Sequence, residues 1–287
     1  MASLKEIRGR IGSVKGTLKI TSAMRLISSA KLHSAQNAIG NMVPYEHHVQ
    51  DIMMSLMRSG GFSDAMDRYL AEGENPRTYV VLVTSNQTLC GAFNVNLAKA
   101  FENLKLDREQ TVVYAVGKYG LKHVQKLGYE VVDCCDIAAH ADYDRSVELS
   151  KLFASHFLEG KVGRVKMVYA HFASPVSQPI VCEDYLPMSM DLSGVAGQEA
   201  DENGFLTEPS AAELLEQMLP MVLRLKLHTV MLDSTAAEHA ARTMAMQMAS
   251  ENAQDLISEL SLQYNKLRQQ AITSEILDLI GGQANNI

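Results

Sequence analysis

Hydrophobic positions along this chain change their period twice. From Ser3 to about Ser59, Leu4, Ile7, Ile11, Val14 and Leu18 alternate steps of three and four, the spacing of a coiled-coil seam. Thr21, Arg25 and Ser28 then fall where that seam would continue, while Ile20, Met24 and Ile27 open a shifted stripe. Such a shift changes the supercoil locally or marks a new partner. The pattern predicts one helix of roughly 80 Å at about 1.5 Å per residue, too long for a compact domain. Pro44 is expected to kink it and Gly60-Gly61 to end it.

From about Arg77 the period shortens. Tyr79–Val83, Val112–Val116, Glu130–Asp133 and Val165–Tyr169 are short runs rich in β-branched residues. Amphipathic stretches at Val95–Leu104, Lys118–Leu127 and Ser146–Leu158 lie between them. Strands and helices alternating at this length predict a small Rossmann-like α/β domain with a mainly parallel sheet. Ile180–Glu183 reads as an additional strand, and Asp191–Asn203, rich in Gly, Ser and acids, as a loop.

The helical period then returns, from Pro209 to about Ile280. Pro209 suits a helix start, Pro220 is expected to bend or interrupt the helix, and Gly281-Gly282 to stop it. Ala253, Ile257, Leu260, Tyr264, Leu267 and Ala271 again alternate four and three. Two seam-bearing helices at opposite ends of a chain have a joint solution, an antiparallel coiled coil. The expected division is therefore residues 1–60 for the first helix, 77–190 for the α/β domain at one end of the pair, and 209–287 for the last helix.

Composition adds a charge asymmetry. The 287 residues carry a formal net charge of −7, which argues against a general nucleic-acid binder. Between Met1 and Lys31, however, Lys5, Arg8, Arg10, Lys15, Lys19, Arg25 and Lys31 face one acid, Glu6. A basic arm on an acidic protein implies a partner with negative charge. Acidic protein partners fit an arm interleaved with a seam; a nucleic acid or an anionic membrane surface is the alternative. No leader precedes the first helix and no apolar run reaches the roughly 20 residues of a membrane span, so a soluble chain is expected.

Candidate chemistry is sparse. Val116-Gly117-Lys118-Tyr119-Gly120 resembles phosphate-binding sequence, but Val112 stands where a P-loop has glycine and Tyr119 where it has Ser or Thr. Leu89-Cys90-Gly91-Ala92 follows a strand and would expose Cys90 as a nucleophile, or bury it in a turn, which the lack of a nearby histidine favours. The four cysteines, Cys90, Cys134, Cys135 and Cys182, show no metal or redox spacing and read as buried and reduced, with Cys134 and Cys135 facing opposite sides of a strand. His47-His48 and Glu238-His239 lack zinc spacing, and Glu199, Asp201 and Glu202 lack that of a calcium loop. Neither cofactor nor metal is expected.

Both ends of the chain resemble the γ subunits of F-type ATP synthases. The resemblance rests on Ile7–Lys15, Lys19–Met24 and Ala30-Lys31-Leu32, and on Tyr264–Glu275 followed by Ile280-Gly281-Gly282. Ala237–Met246, Asn252-Ala253 and Glu208-Pro209 fit the same family. Asn86-Gln87-Thr88 departs from it, standing where the family has an Asp-Arg-Gly sequence. The resemblance implies a central rotor shaft without a catalytic site of its own. Its partners would be the α and β subunits around the coiled coil, with the ε subunit and the membrane c-ring at the α/β domain. It also implies Met24, Arg25, Arg268 and Gln269 as contacts with the α/β ring, Phe205 as a contact with the rotor ring or ε, and a place on the cytoplasmic side of a bacterial plasma membrane. Gly9, Gly12 and Gly16 are unusual in such a shaft, costing roughly 0.5–1 kcal/mol each relative to Ala. Close packing against the C-terminal helix, or deliberate torsional softness, would account for them.

Overall fold

The computed structural model describes residues 3–58, 64–137, 143–189 and 207–284. They fall into two compact units, Met1–Ser28 with Arg242–Ile287, and Ser29–Ala241. Two long helices, α1 (Leu4–Arg58) and α6 (Ala211–Ala284), contribute to both. Phe205, the Asp191–Asn203 loop and Gly60-Gly61 lie outside the described residues.

The second unit holds a five-stranded sheet: β1 (Thr78–Val83), β2 (Thr111–Val116), β3 (Glu130–Asp133), β4 (Arg164–Ala170) and β5 (Ile180–Leu186), in the order β3-β2-β1-β4-β5. The first four are parallel, and β5 pairs antiparallel with β4. Helices α3 (Phe93–Asn103), α4 (Lys118–Leu127) and α5 (Tyr143–Leu158) connect the strands. A short helix, α2 (Asp64–Leu70), has no counterpart in the sequence reading. The sheet is covered on both faces, so its central strands are apolar throughout. Val80, Leu82, Val113 and Val168 pack with Phe93, Leu97 and Phe101 of α3. Tyr79, Val81, Tyr114 and Met167 pack with Phe153 of α5 and with both long helices. Tyr185 ties three of these elements together: its hydroxyl donates to the Leu223 carbonyl at 2.8 Å and lies 2.8 Å from Ser150 Oγ.

Within this unit the long helices run antiparallel. Leu32 and Ala35 of α1 meet Ala236 and Ala240 of α6, while Met53, Leu56 and Met57 share a cluster with Leu215, Leu219 and Leu223. This packing explains why neither proline ends its helix. Pro44 and Pro220 lie inside α1 and α6. An interior proline costs about 3 kcal/mol, yet each buried Leu or Met contributes roughly 1.5–3 kcal/mol. Pro220 is flanked by Leu219 and Leu223, both essentially inaccessible. Helix α6 also continues through Gly281-Gly282, where a stop was expected; a helical glycine costs about 1 kcal/mol and does not by itself break the ladder.

Candidate partner-binding surface

In the first unit, the seam on α1 runs on through polar residues. Ile7, Thr21 and Ser28 are buried, as are Arg242, Met246, Ala253, Ile257 and Leu260 of α6. The seam therefore does not stop at Thr21. The Thr21 hydroxyl donates to the Leu18 carbonyl at 3.1 Å and lies 2.8 Å from Ser250 Oγ, which donates to it. A small hydroxyl pair closes the helices where larger apolar residues would hold them apart.

The shifted stripe does something different. Ile20 is 63% exposed and Ile27 58%, with Leu26 beside them. On α6, Leu262 is 72% exposed, and Met248, Ile272, Ile276 and Leu277 are also open. Exposed apolar residues recurring along two paired helices mark a surface for a protein partner. The basic residues share that exterior: Lys5, Arg8, Lys15 and Lys19 are exposed, and among the described residues only Arg10 of these makes an ion pair, with Glu6 at 3.0 Å. Arg25 is half-buried, and its Nε is shut from solvent without a hydrogen-bond partner among the described residues. Gly9, Gly12 and Gly16 are exposed as well, and a Cβ built on any of them meets nothing within 4 Å. They do not admit a close approach of the C-terminal helix, as one of the two explanations required.

The segment that resembles a phosphate loop serves the fold. The backbone N–H of Lys118 donates to Asn86 Oδ1 at 3.0 Å, that of Tyr119 to the Ser85 carbonyl at 3.3 Å, and that of Gly120 to Thr84 Oγ1 at 2.9 Å. The donors that would cradle a phosphate are already engaged by the turn after β1. Gly117 has φ +107°, and a Cβ there would lie 2.2 Å from the Thr84 carbonyl oxygen. Glycine is needed for that close approach.

Cys90 is 3% exposed, accepting from Asn94 Nδ2 at 3.2 Å, so it takes the buried-turn reading. Cys134 and Cys135 follow β3 in a turn and are both buried, rather than opposed across a strand. Burial pushes the Cys134 thiol up to about 11, and burial together with Asp133 pushes Cys135 to about 12. Cys182, expected buried, is exposed on the edge strand β5. Among the described residues no group of three His, Cys, Asp or Glu is placed to hold a metal ion, and no helix is long and apolar enough to cross a membrane.

The family model described as ATP synthase matches residues 3–285. The ATP synthase gamma chain of Bacteroides fragilis is 44% identical over 291 residues, covering 98% of this chain and 99% of the relative. This chain belongs to the ATP synthase gamma chain family. The gamma chain of Phocaeicola vulgatus is 40% identical over 288 residues, with the same coverage. A solved chain of the Euglena gracilis mitochondrial ATP synthase, in an assembly of OSCP, F1 and c-ring, shares the fold with a TM-score of 0.62 at 18% identity, over 98% of this chain and 93% of that one. One from the central stalk and c-ring of the Tetrahymena thermophila enzyme matches with a TM-score of 0.58 at 17% identity, over 80% of this chain and 99% of that one.

Of the residues that the family resemblance singled out, Met24 and Arg25 are half-buried on α1, while Arg268 and Gln269 are exposed on α6. Sequence reasoning missed Thr84 and Ser85, and the role of Asn86. Each acts by a hydrogen bond to a segment about thirty positions away, at 118 to 120, and no local pattern announces such a bond.

Proposed function

We propose that this chain is the central rotor stalk of an F-type ATP synthase. It couples ion-driven rotation of a membrane ring to ATP synthesis or hydrolysis at sites on the α and β subunits. The observation that carries this reading is the 44% identity to a gamma chain over 98% of the chain. The exposed apolar stripe and exposed basic residues of the first unit support it. The relatives give no support to a nucleic-acid or membrane-anchoring arm.

On this reading the α and β subunits surround the paired ends of α1 and α6, and the ε subunit and c-ring contact the other unit. Met24, Arg25, Arg268 and Gln269 meet the α/β ring; Phe205 meets the c-ring or ε. The chain has no catalytic site of its own and works as a peripheral part of the complex on the cytoplasmic side of the plasma membrane. The mechanism is differential binding: each orientation of an asymmetric shaft favours one conformation of one catalytic site. Moving such an equilibrium from 1:99 to 99:1 takes about 5.5 kcal/mol. A few apolar contacts worth roughly 1.5–3 kcal/mol each supply that.

Reconstitution tests the reading. The purified chain alone should not hydrolyse ATP, and its addition to α and β subunits should produce a fast ATPase containing one copy of it. ATP turnover by the isolated chain, lost in Lys118→Ala, would restore an enzyme reading. Arg268→Ala with Gln269→Ala removes side-chain donors whose charged hydrogen bonds are worth about 1.5–3 kcal/mol each. That variant should assemble but turn over more slowly, and unchanged turnover would remove both residues from the interface.

A further inference from the structure

Inside the second unit, α1, α6 and the β4–β5 pair line a cavity of about 530 Å³ that is open to solvent. Small-molecule sites occupy roughly 300–1,000 Å³. Its apolar lining includes Val222 and three methionines, Met53, Met54 and Met188, whose side chains are flexible and polarizable. Its charged lining is Glu46, Glu183, Asp233 and Lys226.

These charges are not equally matched. Glu183 is engaged: the Tyr169 hydroxyl donates to its Oε1 at 3.1 Å, and Lys226 Nζ lies 3.3 Å from its Oε2. Asp233 is engaged too, by Nδ1 of His171 at 2.7 Å and the backbone N–H of Phe172 at 2.9 Å. Glu46 stands apart. It is half-buried in the cavity wall, yet no Lys, Arg or His among the described residues lies within ion-pair distance of it. Burial pushes its carboxyl above the ordinary range, against the weaker pull of His47, Lys226 and the Thr229 hydroxyl. Three carboxylates against one lysine leave the cavity net negative, and the one lysine already faces Glu183. An anion is repelled there, and a neutral hydrocarbon adds no charge at ion-pair distance from Glu46.

We propose that this cavity binds a small organic cation with an apolar body, its ammonium or guanidinium head on Glu46 and its hydrocarbon part against the methionines. The ligand would touch α1, β5 and α6 together, so it stabilises this unit by mass action.

The test uses the full chain, labelled at its methionine methyl groups, and three probes of equal length: hexylamine, hexanol and hexanoate. Hexylamine should shift the methyl resonances of Met53, Met54 and Met188 saturably and raise the melting temperature. It should bind at least about tenfold more tightly than hexanol or hexanoate, the ratio expected for one charged hydrogen bond in a sheltered site. Glu46→Gln keeps the side-chain volume and should erase that preference while the chain stays folded. Equal affinity for hexylamine and hexanol on the native chain overturns the proposal without reference to any variant. So does a preference retained in Glu46→Gln, or shifts confined to methionines elsewhere.

Discussion

Asn86 joins three separate segments through one amide. Its Oδ1 accepts from the backbone N–H of Lys118, and its Nδ2 donates to the Cys135 carbonyl at 2.8 Å. The sequence marked positions 86 to 88 as a departure from the family but gave no role, because these partners lie 32 and 49 positions away. Asn86→Ala should cost about 1–3 kcal/mol, since both bonds go and the Cys135 carbonyl is left part-buried without its donor. Asn86→Asp keeps the acceptor alone and should fall between, as read from urea midpoints; an unchanged midpoint in both would deny Asn86 this part. Glu46 gives a second prediction at this scale. Its folded-state pKa is raised above 4.5 by burial, so between the unfolded and folded values the native chain holds more protons than the unfolded one. Its contribution to stability is therefore greatest at low pH and declines as pH rises through that window. Glu46→Gln should be more stable than the native chain near pH 7, with the difference shrinking toward pH 4.5. A difference independent of pH would contradict the assignment.

At the scale of elements, strands were the most legible feature. The runs at Tyr79, Val112, Glu130 and Val165 are short, β-branched and bounded by turns, and each became a strand within one residue of its expected limits. The antiparallel β5 also appeared where Ile180–Glu183 placed it. Gly281-Gly282 misled, because a glycine's propensity is too weak to break the ladder, and Pro220 does not interrupt α6, where burial of Leu215, Leu219 and Leu223 outweighs local propensity. Helix α2 is only seven residues long, too short for a period to declare itself. The glycines of α1 carry a prediction. Since no described residue packs against Gly9, Gly12 or Gly16, their replacement by Ala meets no obstacle among the described residues and should stabilise the helix by about 1.5–3 kcal/mol in total. If softness is their purpose, the assembled triple variant should twist more stiffly in single-molecule traces. Normal assembly with unchanged torsional stiffness would rule that purpose out.

For the whole molecule, the surface that points to partners was half visible in advance. The shifted stripe at Ile20, Met24 and Ile27 could be read from spacing. That Ile20 and Ile27 would be left open, while Thr21 and Ser28 took the buried positions, could not. Spacing ranks faces by hydrophobicity, and here the hydroxyls of Thr21 and Ser250 hold the interior by bonding to each other. The cavity beside Glu46 was invisible for a related reason, since its walls come from residues as far apart as 46, 183 and 226. Rotation is the central claim, and Cys182, the exposed cysteine on β5, offers a handle for observing it. With α and β subunits fixed to a surface and a bead attached at Cys182, addition of ATP should turn the bead continuously in one direction. A bead that stays still, or wanders without direction, while the same complexes hydrolyse ATP would contradict the account.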